Sequence, residues 1–260
     1  MVGRVSAEPA NLRIGCVKYL NARPLVAGWD GNVVLDHPSA LCAQLARGEL
    51  DVALVSSFEF LRNPIYRIAD SVSISSDGAV YSVVVAHRGK FAVVSDIALD
   101  PAAETSGNLL RCLLAELHLK PEIGSTLSQS LQSARLLIGD QAIRFRQEHG
   151  QDFQYFDLGE QWKKLCGLPF VYALWLVRPE VRHAEPIAGR LRALRDDNLA
   201  KIDNVIARET EFDPEFCRRY YREHLRFIFG EREKQGLRLF AKLCQKHGLL
   251  PKRELVLDLA

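Results

Sequence analysis

Hydroxyl and carboxamide side chains stand at the ends of the apolar runs in this sequence, where a fold can present them to a ligand. Asn21 follows the run Leu12–Val17. Ser56 and Ser57 follow Asp51–Val55, and Ser82 lies in the segment Val80–Ala86. Ser39, then Thr105 and Ser106, open helical patterns, and Gly139-Asp140 follow the run Ala134–Ile138. Such side chains donate hydrogen bonds without bringing charge, and the free backbone N–H groups of a helix start attract anions beside them. Two helix starts facing each other from two lobes would clamp a dicarboxylate. Any one Ser or Thr is equally an ordinary helix cap, so the anion reading rests on the collection.

Standard catalytic signatures are absent: no G-x-S-x-G, no H-E-x-x-H, no P-loop and no G-x-G-x-x-G. The 7 histidines show no metal-ligand spacing. His37 and His87 flank early strands, where they either approach the cleft or play a structural or surface role. Asp140 is a base or a helix cap. Asp157 and Glu160 around Gly159 frame a helix containing Trp162, and Arg23 before Pro24 meets a carboxylate or stays in an exposed loop.

These residues need a scaffold, and the composition bounds it. A chain of 260 residues with 48% hydrophobic and 25% charged residues makes one large or two modest packed domains. Its formal net charge of +2 is too balanced for a nucleic-acid surface. No apolar run reaches the ~18 residues of a membrane span, and the stretch Met1–Leu12 has no hydrophobic signal core. The 6 cysteines (Cys16, Cys42, Cys112, Cys166, Cys217 and Cys244) are scattered, mostly within apolar patterns, and read as reduced thiols. The expected compartment is the cytoplasm.

The apolar periodicity predicts β-β-α-β at the start, with a helix opening at Ser39 and closing at Gly48. Strands are expected at Val80–Ala86, Ala134–Ile138, Phe153–Phe156 and Leu168–Val177, with a turn at Asp100-Pro101 and a helix over about 105–117. The remainder reads as helical, with Asp213-Pro214 as a helix start and a last helix stopping at Gly248. The expected fold is two-lobed α/β with the ligand cleft between lobes. Residues 1–86 plus 176–260 form the larger lobe with the C-terminal helices, and residues 87–175 form an inserted smaller one.

The stretch Arg13–Leu25 (RIGCVKYLNARPL) resembles the opening of the chorismate dehydratases of the futalosine route to menaquinone. Further segments are similar in the same order: Pro38–Ser56, Ala79–Val84 (AVYSVV), Leu136–Asp140 (LLIGD), Phe156–Trp175 and Tyr221–Phe227 (YREHLRF). The resemblance covers nearly the whole chain. It implies a type II periplasmic-binding-protein fold and a hydro-lyase that removes water from chorismate to give 3-[(1-carboxyvinyl)oxy]benzoate, with no cofactor or metal. The implied partner is the small dicarboxylate alone, with neither nucleic acid nor membrane. Asn21 and Ser82 match functional positions and become the catalytic candidates. Thr105-Ser106 match a hydroxyl pair at a helix start, although Gly107-Asn108 depart from the family's pattern. Ser39, Ser56, Ser57, Thr105, Ser106, Gly139 and Asp140 are the expected substrate-binding residues. Two other readings share the fold: 1,4-dihydroxy-6-naphthoate synthase of the same pathway, and a non-catalytic solute-binding protein. The YLNA and GLPFVYALW segments fit the dehydratase better, and the absence of an export signal argues against a transport receptor.

Overall fold

The structure, a computed structural model, describes residues 12–100, 103–125 and 132–260. Pro101 of the expected turn and most of the opening stretch, residues 1–11, lie outside them. The apolar runs become strands: β1 (Ile14–Val17), β2 (Val33–Asp36), β3 (Val52–Ser56), β4 (Arg67–Ser76) and β5 (Val83–His87). These are followed by β6 (Asp96–Ala98), β7 (Glu122–Gly124), β8 (Ser133–Ile138), β9 (Gln154–Asp157) and β10 (Phe170–Val177). Every residue of β1, β3, β5 and β10 is buried. Near-continuous burial is what a strand covered on both faces requires, and it explains why these segments lack polar alternation.

Two sheets form, in the orders β2-β1-β3-β10-β4 and β7-β6-β8-β5-β9. In each, four strands run one way, and one antiparallel strand lies between three of them and the fourth. β10 runs antiparallel to β3 and β4, and β5 antiparallel to β8 and β9. The lobe boundaries therefore differ from those expected. Val83–His87 belongs wholly to the second sheet and Phe170–Val177 wholly to the first. The crossings lie between Ser76 and Val83 and between Asp157 and Phe170, rather than at 86/87 and 175/176. An apolar strand announces that it is buried but not which of two sheets it enters.

Helices fill the faces. Helix Pro38–Arg47 has Pro at its start and closes on Gly48 in the left-handed conformation (φ 76°). Its N-cap is His37, so Ser39 sits inside the first turn rather than capping it. Helix Pro214–Arg219 begins as the sequence predicts, with the Asp213 carboxylate accepting from Phe216 N at 2.9 Å. Helix Glu231–Lys246 packs on β10 and reaches helix Glu104–Glu116. All cysteines are free thiols, buried except for half-buried Cys166. No helix among the described residues is long and apolar enough to cross a membrane.

Candidate functional site

The antiparallel strand in each sheet decides where polar groups collect. Because β5 runs against β8, the start of β5 lies beside the end of β8, with Val83 opposite Ile138. In the first sheet the early part of β10 lies beside the end of β3, with Ala173 opposite Ser56. Both sheets thus present strand ends and helix starts to one cleft. Asn21, in the turn Leu20–Ala22 after β1, and Ser56, the last residue of β3, come from the first lobe. Ser82 precedes β5, Thr105 and Ser106 open helix Glu104–Glu116, and Gly139 opens helix Gly139–Glu148 from the second.

An apolar wall of Val17, Ile74, Val80, Val83 and Ile138 completes the cleft with the rings of Tyr19 and Tyr172. No Lys or Arg is among its described lining residues. The charged one is Glu104, whose carboxylate is paired with Arg62 at 2.5 Å. Arg62 also bonds Glu59 of the first lobe. The hydroxyls of Ser56 and Thr105 bond each other across the lobes, and Thr105 Oγ1 accepts from Phe58 N at 3.2 Å. The Asn21 side-chain oxygen is buried and has no hydrogen-bond partner. A buried acceptor in this state costs free energy unless a ligand satisfies it.

Other sequence candidates are placed elsewhere. Ser57 is fully buried and donates to Val171 O at 2.7 Å, stapling β10 rather than facing the cleft. Ser39 is exposed and does not line the cleft. Asp140 is neither in the cleft wall nor a cap of its own helix. Its carboxylate accepts from Leu20 N at 2.8 Å, an inter-lobe tie next to Asn21. Burial pushes the Asp140 carboxyl above its ordinary range, against that bond and the nearby Arg144 and Arg23. His37 is exposed, with its ring edge-on to Tyr19, and His87 is buried beside Phe91, so neither lines the cleft. Desolvation lowers the His87 pKa. Arg23 is half-buried, with Nε 3.8 Å from Glu209.

Asp157 does more than frame its helix. Besides Glu160 N at 3.1 Å, its carboxylate accepts from Val80 N at 3.0 Å and Tyr81 N at 2.8 Å, fixing the first crossing segment. Burial raises its carboxyl despite these three bonds.

Sequence reasoning missed Tyr19, Tyr172 and Glu104. Tyr19 stands two positions before Asn21 at the end of a buried strand, a position that could have been read. Its phenol is pushed up to about 12, first by burial and then by Asp100 and Asp140. Tyr172 sits inside β10 with no local signal, its hydroxyl 3.2 Å from Ser76 Oγ.

Two α/β lobes, each with one antiparallel strand, and a cleft at their strand ends make this a periplasmic-binding-protein fold. Solved structures agree. Protein AF1704 from Archaeoglobus fulgidus superposes with a TM-score of 0.69 at 18% identity, covering 92% of this chain and 98% of that one. The periplasmic aliphatic sulphonate binding protein SsuA from Escherichia coli gives 0.61 at 14% identity, covering 94% and 95%. The sequence is more particular: the profile of the menaquinone biosynthesis family matches residues 12–246, and the chain belongs to that family. It is 28% identical over 254 residues to a chorismate dehydratase from Thermus thermophilus, covering 88% of this chain and 93% of the relative. A chorismate dehydratase from Campylobacter jejuni is 25% identical over 229 residues, covering 87% and 91%.

Proposed function

We propose that the chain eliminates water from chorismate to give 3-[(1-carboxyvinyl)oxy]benzoate, as a cofactor-free hydro-lyase. The observation that carries the reading is a largely apolar cleft in which both lobes supply neutral polar groups and the Asn21 acceptor is unsatisfied. Loss of the ring proton beside the enol ether places negative charge on the ring, spread onto the conjugated ring carboxylate. Departure of the neighbouring hydroxide then makes the ring aromatic, and proton and hydroxide leave as water. The residues need only hold the carboxylate, orient the leaving oxygen and keep the ring against the apolar wall.

In this reading the amides at the start of helix Glu104–Glu116, with Thr105 and Ser106, hold the ring carboxylate. Its arrival separates the Ser56–Thr105 hydroxyl pair, so binding is shared between lobes. Asn21 receives the substrate's ring hydroxyl, and Ser82 donates to that oxygen as it leaves. The substrate's second carboxylate, held near the ring proton, takes the proton, because among the described lining residues the one carboxylate, Glu104, is paired with Arg62.

Purified protein incubated with chorismate should yield an aromatic product followed by absorbance and identified by mass. Ser82→Ala should lower turnover by ~10²–10³, the usual loss for one preorganised donor, and Asn21→Ala, which removes the acceptor of the ring hydroxyl, should lower it as well, both with the fold intact. No product from the unsubstituted protein would overturn the reaction. Near-normal turnover in both variants would move the site.

A further inference from the structure

Ser82 is fully buried at the wall of the cleft and is tied through both backbone and side chain. Its backbone N–H donates to Val80 O at 2.8 Å across Tyr81, which stands in the left-handed region at φ 68°. Its carbonyl accepts from Gly139 N at 2.8 Å. A non-glycine residue at such a φ persists where its surroundings over-determine it, and here the Asp157 carboxylate takes both Val80 N and Tyr81 N. The side chain has its own partner. The hydroxyl of fully buried Tyr220 donates to Ser82 Oγ at 2.6 Å.

Tyr220 opens a π-helical turn, Tyr220–His224, on the helices that follow the second crossing. π-Turns of this kind are frequent at functional sites. Its ring stacks on Phe216 at 5.7 Å between centroids, with the planes inclined by 12°. At the other end of the turn, His224 Nδ1 lies 3.0 Å from Ala79 O. The turn therefore touches the crossing segment at both ends. Burial raises the Tyr220 phenol far above pH 7, so it stays protonated. A serine hydroxyl has one proton and two acceptor lone pairs. Once Tyr220 occupies an acceptor site, the proton of Ser82 is committed nowhere in the protein's described bonds, and Ser82 lines the cleft.

We propose that Tyr220 is a positioning residue that makes Ser82 a one-directional hydrogen-bond donor into the cleft. The inference rests on the chorismate reading and deepens it by saying what directs the donor. Without Tyr220 the Ser82 hydroxyl can rotate among about three staggered wells and can turn back toward a neighbouring carbonyl.

Tyr220→Phe keeps the ring and removes the donor. Its kcat should fall at least about threefold, from the rotamer count, and no further than the ~10²–10³ for loss of the donor itself. KM should move less than about twofold. In a Ser82→Ala background the same substitution should have no further effect on kcat. An unchanged kcat in Y220F, or an equal fall with and without Ser82, would overturn the inference. If Y220F does not fold, site-specific 3-fluorotyrosine at 220 keeps the shape and strengthens the donor. It should change kcat at constant KM, and no change in kcat would count against the role. Crystal structures of the unsubstituted protein and Y220F decide the same point without activity. Ser82 should hold one χ1 rotamer in the first and several in the second, and a single unchanged rotamer in both would overturn it. A chain that does not consume chorismate would remove the reaction, and the rotamers would still decide the positioning.

Discussion

Gly139 offers a one-methyl test of the inter-lobe geometry. It opens its helix with φ +57°, and a Cβ built there would lie 2.9 Å from Tyr19 Cγ and 3.1 Å from both Cδ atoms. Favourable carbon–carbon contacts sit at about 3.5–4.0 Å, so the methyl would press into the face of the ring. Gly139→Ala then carries two costs. A left-handed backbone with a Cβ costs about 1–2 kcal/mol, and overpacking costs about 1–3 kcal/mol. Together they suggest about 3 kcal/mol. For a chain of this size each kcal/mol lowers Tm by about 2–4 °C, so the melt should fall by about 6–12 °C. Tyr19 lines the cleft, so a ring displaced by the methyl should raise KM as well. Thermal unfolding by circular dichroism and steady-state turnover read both effects. Tyr19→Ala separates the two costs, because without the ring G139A should retain only the backbone cost of about 1–2 kcal/mol. An equal Tm loss in both backgrounds, or a loss under about 2 °C in the parent, would refute the contact.

Thr105→Ala removes the partner of both Ser56 and Phe58 N, and is expected to cost about 1 kcal/mol of stability and to raise KM. A lowered Tm with unchanged KM would assign Thr105 to structure alone. Asp140→Asn keeps an oxygen that can accept from Leu20 N. The folded-state pKa of Asp140 is raised, so the folded protein binds the proton more tightly and loses stability as pH rises from the ordinary carboxylate value through the raised one. The asparagine variant should lack that decline, so melts from pH 3 to 8 should show a Tm advantage that grows with pH. An advantage confined to acid pH would contradict the assignment.

The sequence carries the elements better than their arrangement. Apolar runs such as Asp51–Val55 and Phe170–Val177 declare buried strands, and Asp213-Pro214 declares a helix start, because these signals are local. The lobe of Val83–His87 is not local information, since its ladder partners β8 and β9 lie some fifty to seventy residues further on. The site follows the same division. Asn21, Ser56, Ser82, Thr105, Ser106 and Gly139 stand at strand ends and helix starts, and they converge on the cleft. Ser57 has equally good sequence credentials, but its hydroxyl is taken by Val171 O, a carbonyl 114 residues away. Tyr172 reads as one more apolar strand residue, and only the antiparallel placement of β10 brings it to the cleft.

The late return of β10 to the first sheet also sets an order in which the two sheets can be completed during synthesis. The second sheet, β5 to β9, is built from one uninterrupted stretch of chain and is complete once Asp157 has emerged. The first sheet is not. β3 and β4 are separated by β10, so until Val177 emerges neither has its neighbour there and both show open edges. At ~5–20 residues per second this wait lasts ~5–20 s after β4 is made. The outer edge of β4 waits longer still, because it is closed by residues 258–260. Ile68 N donates to Asp258 O at 2.7 Å, and Asp70 N and Ala260 N make further bonds there at 2.8 Å. The second sheet can thus be complete before the first, whose open edges stay unpaired until β10 and residues 258–260 have been made.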